Sequence, residues 1–265
     1  MDKIISFDLQ ADFGFFKKPD VNDGLQLSYN MLHKPALLGI LGAILGLGGY
    51  EEKGKFPEYY ERLAGIPVGI QPLAGRHEKG NFRKTVITYT NTVGYANKDG
   101  NLIVREHTLV RPGYRCYLGL DPEYNEDHQK LYDAILSGRA RYVPYLGKNE
   151  FHTWWEPERV QEYVWEPFLP ENDFRVDSLF VKQYPLKDHR QAPDFNFSTL
   201  SAVNDSSFAY FERLPLYFKD DPGFVQYELA EFAYTDWMFK LTSKINGLFQ
   251  LGSKSYSDHC IIQLF

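Results

Sequence analysis

Cysteine is almost absent: Cys116 and Cys260 are the only two in 265 residues. That excludes a disulfide framework and a four-cysteine zinc site, and it suits a reducing compartment, with the cytoplasm as the expected location. An overall excess of basic residues is also missing. With 29 Lys plus Arg against 35 Asp plus Glu the formal net charge is -6, which excludes a protein coated all over with basic charge, such as a DNA-packaging protein. No run demands a membrane. The most apolar stretch, ALLGILGAILGLGGY at 36–50, has 15 residues, short of the roughly 20 that a spanning helix needs. It lies too far along the chain, behind too many charges, to be a secretory signal. The seven histidines show no HExxH or paired spacing, no GxSxG elbow occurs, and GLGGY closes the apolar run without the Lys-Ser/Thr of a phosphate-binding loop. These absences leave no metal ligand set to name and no cofactor to expect.

What is there is the composition of a folded domain, 43% apolar and 24% charged, in a length that allows one large domain or two small ones. The charge is unevenly placed. Positions 1–150 hold 19 basic and 18 acidic residues, whereas 151–265 hold 10 and 17. Within the first part, 70–118 carries Arg76, Lys79, Arg83, Lys84, Lys98, Arg105, Arg111 and Arg115 against Glu78, Asp99 and Glu106, a local net charge of +5, with His77 and His107 added. Phe82, Tyr89, Tyr95, Tyr114 and Tyr117 are interleaved with them. Lysines and arginines that hold phosphates beside rings that stack on bases are the chemistry of a single-stranded RNA site. Alternating basic and aromatic residues also describe an ordinary amphipathic strand, and composition alone does not separate the two.

Along the chain, KIISFDLQ at 3–10 reads as a strand, and 13–35 as a loop punctuated by Pro, Asn, Asp and Gly. The apolar run starts after Pro35 and stops at Gly46, Gly48 and Gly49, the pattern of a helix with proline in its first turn and glycine past its end. Gly39, Gly42 and Gly46 weaken such a helix, and close packing against a sheet is the expected reason for them. IPVGIQPL at 66–73 is the next strand; KTVITYTNTVGY and NLIVREHTLV flank a turn at 97–100 as a long hairpin; GYRCYLGL at 113–120 is a strand. Asn125 caps a helix running to Leu136, and RYVPYLG at 141–147 is expected to close the set as a strand. The class is α+β: a ferredoxin-like (RNA-recognition-type) domain over 1–150 with an inserted hairpin near 85–110, then a β-rich aromatic part over 151–265. The second part has 25 aromatics in 115 residues. They either build a small second core or face another protein.

Several segments together resemble one family, the fifth family of CRISPR-associated proteins. FDLQADFGFFKKP followed by LSYNMLHKPALLGILGAILGLGGY looks like its signature of strand, loop and glycine-spaced helix; REHTLVRPGYRCYLGL and the glycine-containing YVPYLGKNEF look like later family segments. The likeness covers about 1–151, with a looser likeness in LPLYFKDDPGFVQYELAEFAYTD, and is most like the subtype I-B branch. It implies a noncatalytic, RNA-binding subunit of a type I Cascade complex. Such a subunit caps the 5′ handle of the crRNA, and its hairpin is a thumb that grips that handle. The implied partners are the crRNA, the backbone filament subunit and the large subunit, with target DNA reached indirectly.

The candidate RNA contacts in the segments that carry the resemblance are Lys17, Lys18, Tyr29, His33, Lys34, Ala36, Gly147, Lys148 and Asn149. In the basic zone they are Arg76, His77, Lys79, Arg83, Lys84, Arg105, His107 and Arg111. Pro35 stands where many members have a hydroxyl residue, which leaves the backbone N–H groups after it as the expected anion donors. One subtype cuts precursor RNA without metal by a Tyr, Lys and His constellation. A metal-independent endoribonuclease with His107 as general acid or base is therefore the alternative, and a protein-only adaptor the third reading.

Overall fold

The first strand shows why the chain folds as it does. In β1 (Lys3–Ala11) Ile5, Phe7 and Leu9 point to one face and Ile4, Ser6, Asp8 and Gln10 to the other, and both faces are buried. Residues 1–19, 24–90, 102–185, 200–219, 226–241, 245–252 and 259–265 are described in this computed structural model. After β1 come β2 (Leu25–Tyr29), α1 (Lys34–Leu45), α2 (Glu58–Leu63), β3 (Val68–Pro72), β4 (Lys84–Thr90), β5 (Ile103–Val110), β6 (Gly113–Leu120) and α3 (Glu126–Leu136). The chain then runs through β7 (Gln161–Pro167), β8 (Phe180–Gln183), β9 (Ala209–Lys219), β10 (Gln226–Thr235), β11 (Leu248–Gly252) and β12 (His259–Gln263). The molecule is mostly β, with few helices and curled sheets.

The main sheet has the order β12–β11–β7–β1–β6–β3, antiparallel throughout, with Thr153–Trp154 paired to the end of β1. It curls until its edges meet: Val68 N–H donates to Phe265 O at 3.2 Å and Phe265 N–H returns to Val68 O at 3.0 Å. A Cβ on Gly69 would stand 2.9 Å from Gln263 O, so the closure needs glycine there. Ile4, Tyr117, Leu251, Ile262 and Leu264 fill the inside. Ile5, Phe7, Leu9, Cys116 and Leu118 face outward into the larger core with α1 and α3. Closure removes the open edges that invite unwanted pairing.

Helix α1 begins and ends where the sequence puts it, with Pro35 in its first turn and Gly46 at φ 79° as its left-handed cap. Its glycines answer to a neighbour other than a sheet: a Cβ on Gly42 would lie 2.4 Å from Tyr59 Cβ of α2, and Gly39 faces the same ring. Leu37, Leu38, Leu41 and Ile44 take the buried face. Asn125 caps α3 by accepting from Asp127 N–H and His128 N–H at 2.9 and 3.2 Å. The expected strand at 141–147 is irregular apart from a bridge at Tyr145. β7 takes the place beside β1 because its Tyr163 meets Ile4 and its Gln161 meets Ser6 in register.

The expected 13–35 loop also holds paired backbone. Phe13–Gly14, Phe16–Lys17 and β2 join β4 and β5 in a five-stranded sheet, with β2 running parallel to β5. LQLSY is too short to announce itself, and its partner lies far along the chain. The arms of the long hairpin are β4 and β5, while the turn at 97–100 lies outside the described residues. The third sheet, β8–β10–β9, sends Leu214, Leu216 and Phe218 into the core against α1. Phe174, Phe180 and Phe239 form the middle of a small second core. No helix among the described residues is long and apolar enough to cross a membrane.

Candidate RNA interface

Alternation along β4 and β5 gives the hairpin two working faces. Glu106 and Tyr89 look toward the start of α1, whereas Lys84 and His107 look the other way, toward β9. Lys17, His33, Ala36, Gly147 and Lys148 come together on the first side, along a groove of 1040 Å³ lined also by Tyr50, Tyr59, Tyr142 and Tyr145. His33 is the cap of α1: its Nδ1 accepts the Ala36 N–H at 3.3 Å, and its carbonyl accepts the Leu37 N–H at 3.0 Å. The N–H groups that follow Pro35 are therefore already used, and the helix start is not the free anion site that the sequence suggests.

His33 is walled in by Phe16, Tyr29 and Tyr227, with ring centroids 5.8, 5.5 and 5.5 Å away. Burial pushes its pKa down from 6.5 to about 3, so it is neutral at pH 7. This has a testable sign. Between those two values the unfolded chain holds a proton that the folded chain refuses, so stability present above pH 6.5 is lost as the pH falls toward 3. Going from pH 7 to pH 5 costs about 2 kcal/mol from this group. Urea denaturation at both values is expected to show that loss, reduced in His33→Asn, which keeps a capping oxygen but carries no titrating ring.

Other candidates near α1 are also committed. Lys34 Nζ donates to Phe265 O at 2.9 Å, Tyr29 is buried, and Lys18 pairs with Glu212 at 3.3 Å over the Tyr29 ring. Lys148 bridges the glycine loop to the hairpin, 2.8 Å from Glu106, 3.1 Å from Glu150 and 3.9 Å from the Tyr89 ring centroid. Burial disfavours its charge, and the two carboxylates together with Tyr89 outweigh that, so its pKa is raised. Gly147, at φ 83°, sets this loop against Phe15. Lys17, Arg105 and Asn149 are exposed.

A cluster of cations lies at the base of the hairpin. Arg76, His77, Lys79, Arg83 and Arg111 line a pocket of 660 Å³ in which Glu78 is the one acidic residue. Among the described residues Lys79, Arg83 and Arg111 meet no carboxylate, and Arg76 Nη2 donates to Gln10 Oε1. Lys79 and Arg111 both sit at φ 49°, a left-handed conformation that non-glycine residues seldom adopt. Arg111 is held there by its N–H to Asp12 O at 2.7 Å. The loop beneath is fixed by side chains that bond to the backbone of distant segments. Asn30 Nδ2 donates to Gly80 O at 2.8 Å and its Oδ1 accepts the Phe82 N–H at 3.0 Å. Glu212 of β9 accepts the N–H groups of Asn30 and Met31. His77 Nδ1 accepts the Gly80 N–H at 3.0 Å, and burial lowers its pKa.

On the other hairpin face Lys18, Lys84, His107, Tyr210 and Arg213 surround Glu212 in a pocket of 440 Å³. Burial lowers the Lys84 pKa; Glu212 opposes this and Lys18 adds to it. Burial and the Lys84 charge lower that of His107. Tyr210 and Arg213 come from the acidic second part, where nothing in the sequence marks them for this place.

No family model matches the chain, and no curated protein does. Among solved structures, a chain of a CRISPR RNA-guided surveillance complex is 12% identical at TM-score 0.48, over 88% of this chain and 90% of that one. A chain of the type III-B Cmr-beta complex bound to cognate target RNA and AMPPnP is 13% identical at TM-score 0.48, over 91% and 86%. A CRISPR protein from Archaeoglobus fulgidus is 12% identical at TM-score 0.44, over 98% and 99%. These three structures are of CRISPR-related proteins, at identities too low to carry any residue's role across.

Proposed function

We propose that this chain is a noncatalytic RNA-binding subunit of a type I CRISPR effector complex, of the fifth CRISPR-associated family and the I-B branch. In this role it holds the 5′ handle of the crRNA and joins the backbone filament to the large subunit. The observation that carries the reading is the hairpin-base pocket: Arg76, Lys79, Arg83 and Arg111 converge with one acid among them, three lack an ionic partner among the described residues, and two are held in strained backbone. Cations kept together without counter-charges suit a polyanion, and strain is retained where function needs the geometry. The sequence β1, α1, β3, β6, α3, β7 with sheet order β7–β1–β6–β3 supports a ferredoxin-like arrangement whose fourth strand is β7.

Fluorescence anisotropy of labelled repeat RNA across a salt series tests it. Log affinity is expected to fall with log salt by about 0.7 per phosphate neutralised; affinity independent of salt, or no binding, contradicts the reading and favours the protein-only adaptor. A second reading, the metal-independent endoribonuclease, is favoured by one observation: Lys84, His107 and Tyr210 share a pocket, and burial lowers the pKa of Lys84 and of His107, which favours their uncharged forms. Against it, the Tyr210 hydroxyl is spent on Glu212 at 2.8 Å. Repeat RNA incubated without divalent metal is expected to stay intact; specific cleavage that His107→Ala removes would reverse the assignment.

A further inference from the structure

The inward positions of β1 change character along the closed sheet, from Ile4 through Ser6 to Asp8 and Gln10. At the Ile4 end the interior is filled, with Ser6 Oγ 2.9 Å from Tyr163 Oη and the Tyr117 hydroxyl donating to Gln71 Oε1 at 2.7 Å. At the Gln10 end it opens as a mouth of 330 Å³ whose polar lining is Asp8, Gln10, Gln71, Arg76, Arg115 and Arg159. Three guanidinium groups and one carboxylate line it: Asp8 accepts Arg115 Nε at 2.7 Å and Nη2 at 2.9 Å, and Arg159 pairs at 2.8 Å with Glu156, outside the lining. The amide oxygens accept too, Gln10 Oε1 from Arg76 and Gln71 Oε1 from Tyr117. What the mouth mostly offers is donors, namely the two amide NH₂ groups and the remaining guanidinium N–H groups. A net-positive cavity in which donors outnumber acceptors fits an oxyanion.

Arg76 lines this mouth and the hairpin-base pocket alike, so the two cavities meet at one side chain. We propose that the barrel mouth is a second phosphate site, filled by the RNA strand already assigned to the hairpin base, which crosses Arg76 from one cavity to the other. This rests on the RNA-binding reading above. An internal phosphodiester and a terminal phosphate monoester offer the mouth the same oxygens, and the test separates them.

The test is anisotropy of the full chain with repeat RNA bearing a 5′-hydroxyl, a 5′-phosphate or a 3′-phosphate, each over a salt series. The variants are Arg159→Glu, at an exposed position whose one ion pair among the described residues is with Glu156, and Arg115→Lys, which keeps a cation for Asp8 but removes the fork. Each is expected to weaken binding about tenfold, the scale of one charged hydrogen bond, and Arg159→Glu to lower the salt slope by about 0.7. Equal losses with all three RNAs indicate an internal phosphate; a preference for one phosphorylated end that both variants erase indicates a terminal one. Unchanged affinity and slope in both variants, while Arg83→Ala and Arg111→Ala still weaken binding, overturns the mouth proposal and leaves the hairpin-base reading standing. No effect at either place overturns both. Loss of a protein partner in Arg159→Glu with RNA affinity intact assigns the mouth to an acidic side chain and also overturns the proposal.

Discussion

Reversing two charges at the hairpin base, Arg83→Glu with Arg111→Glu, is expected to weaken repeat-RNA binding by more than about a hundredfold at physiological salt. Each charged hydrogen bond to phosphate contributes about 1.5–3 kcal/mol, and reversal adds repulsion to the loss. Both side chains are exposed and meet no carboxylate among the described residues, so the melting temperature is expected to change little. That separation of affinity from stability distinguishes a binding pocket from a structural one. Arg111→Gly sharpens the contrast, because glycine relaxes the backbone at φ 49°. It is expected to stabilise the fold by about 0.5–1 kcal/mol while still weakening RNA binding. A variant that binds RNA normally would remove Arg111 from the interface.

The largest loss of stability is expected at Gly147. A Cβ there would stand 1.9 Å from the Phe15 carbonyl oxygen, a backbone atom that no rotamer change can move, and φ is already 83°. Phe15 N–H donates to Leu146 O at 3.0 Å and Leu146 N–H to Phe151 O at 2.8 Å, so relieving the clash would strain both. Gly147→Ala is expected to cost about 3 kcal/mol or more, from the left-handed backbone of a residue with a Cβ plus displaced main chain. It is also expected to pull Lys148 from Glu106 and the Tyr89 ring, loosening the hairpin. Gly49→Ala, with open space around it, serves as the control and is expected to stay within about 0.5 kcal/mol. Urea denaturation of both variants reads the difference, and equal midpoints would contradict the close approach.

How much of this was legible in the sequence depended on how local the cause was. Pro35, Gly46 and Asn125 act within a turn of themselves, and they mark the helix ends where the structure has them. The basic zone could be seen as a zone but not as pockets. Arg83, just before β4, and Lys84, its first residue, enter different cavities, and only the backbone register decides which cavity each enters. His33 and Lys34 illustrate the opposite failure. Their place at a helix start suggests anion contact, but the imidazole is used up as a cap and the ammonium on Phe265, at the far end of the chain. Asn30 lies inside a segment that carries the resemblance and Glu212 outside all of them, but no local pattern marks either for this work; they fix the loop by accepting backbone N–H groups from segments far apart in sequence. Sheet closure was invisible for the same reason, since it needs Val68 to meet Phe265. The irregular 141–147 segment has strand-like composition, and the place beside β1 was won by β7, whose side chains complete the interior of the closed sheet.

The central claim is that single-stranded RNA lies on the hairpin base and is not cut. Crosslinking labelled repeat RNA to the full chain in the absence of divalent metal, followed by mass spectrometry of the peptides and electrophoresis of the RNA, tests it most directly. The account predicts crosslinks within residues 75–83 and at Arg111, with the RNA at full length. Crosslinks confined to other surfaces, or RNA shortened at a defined position, would contradict it.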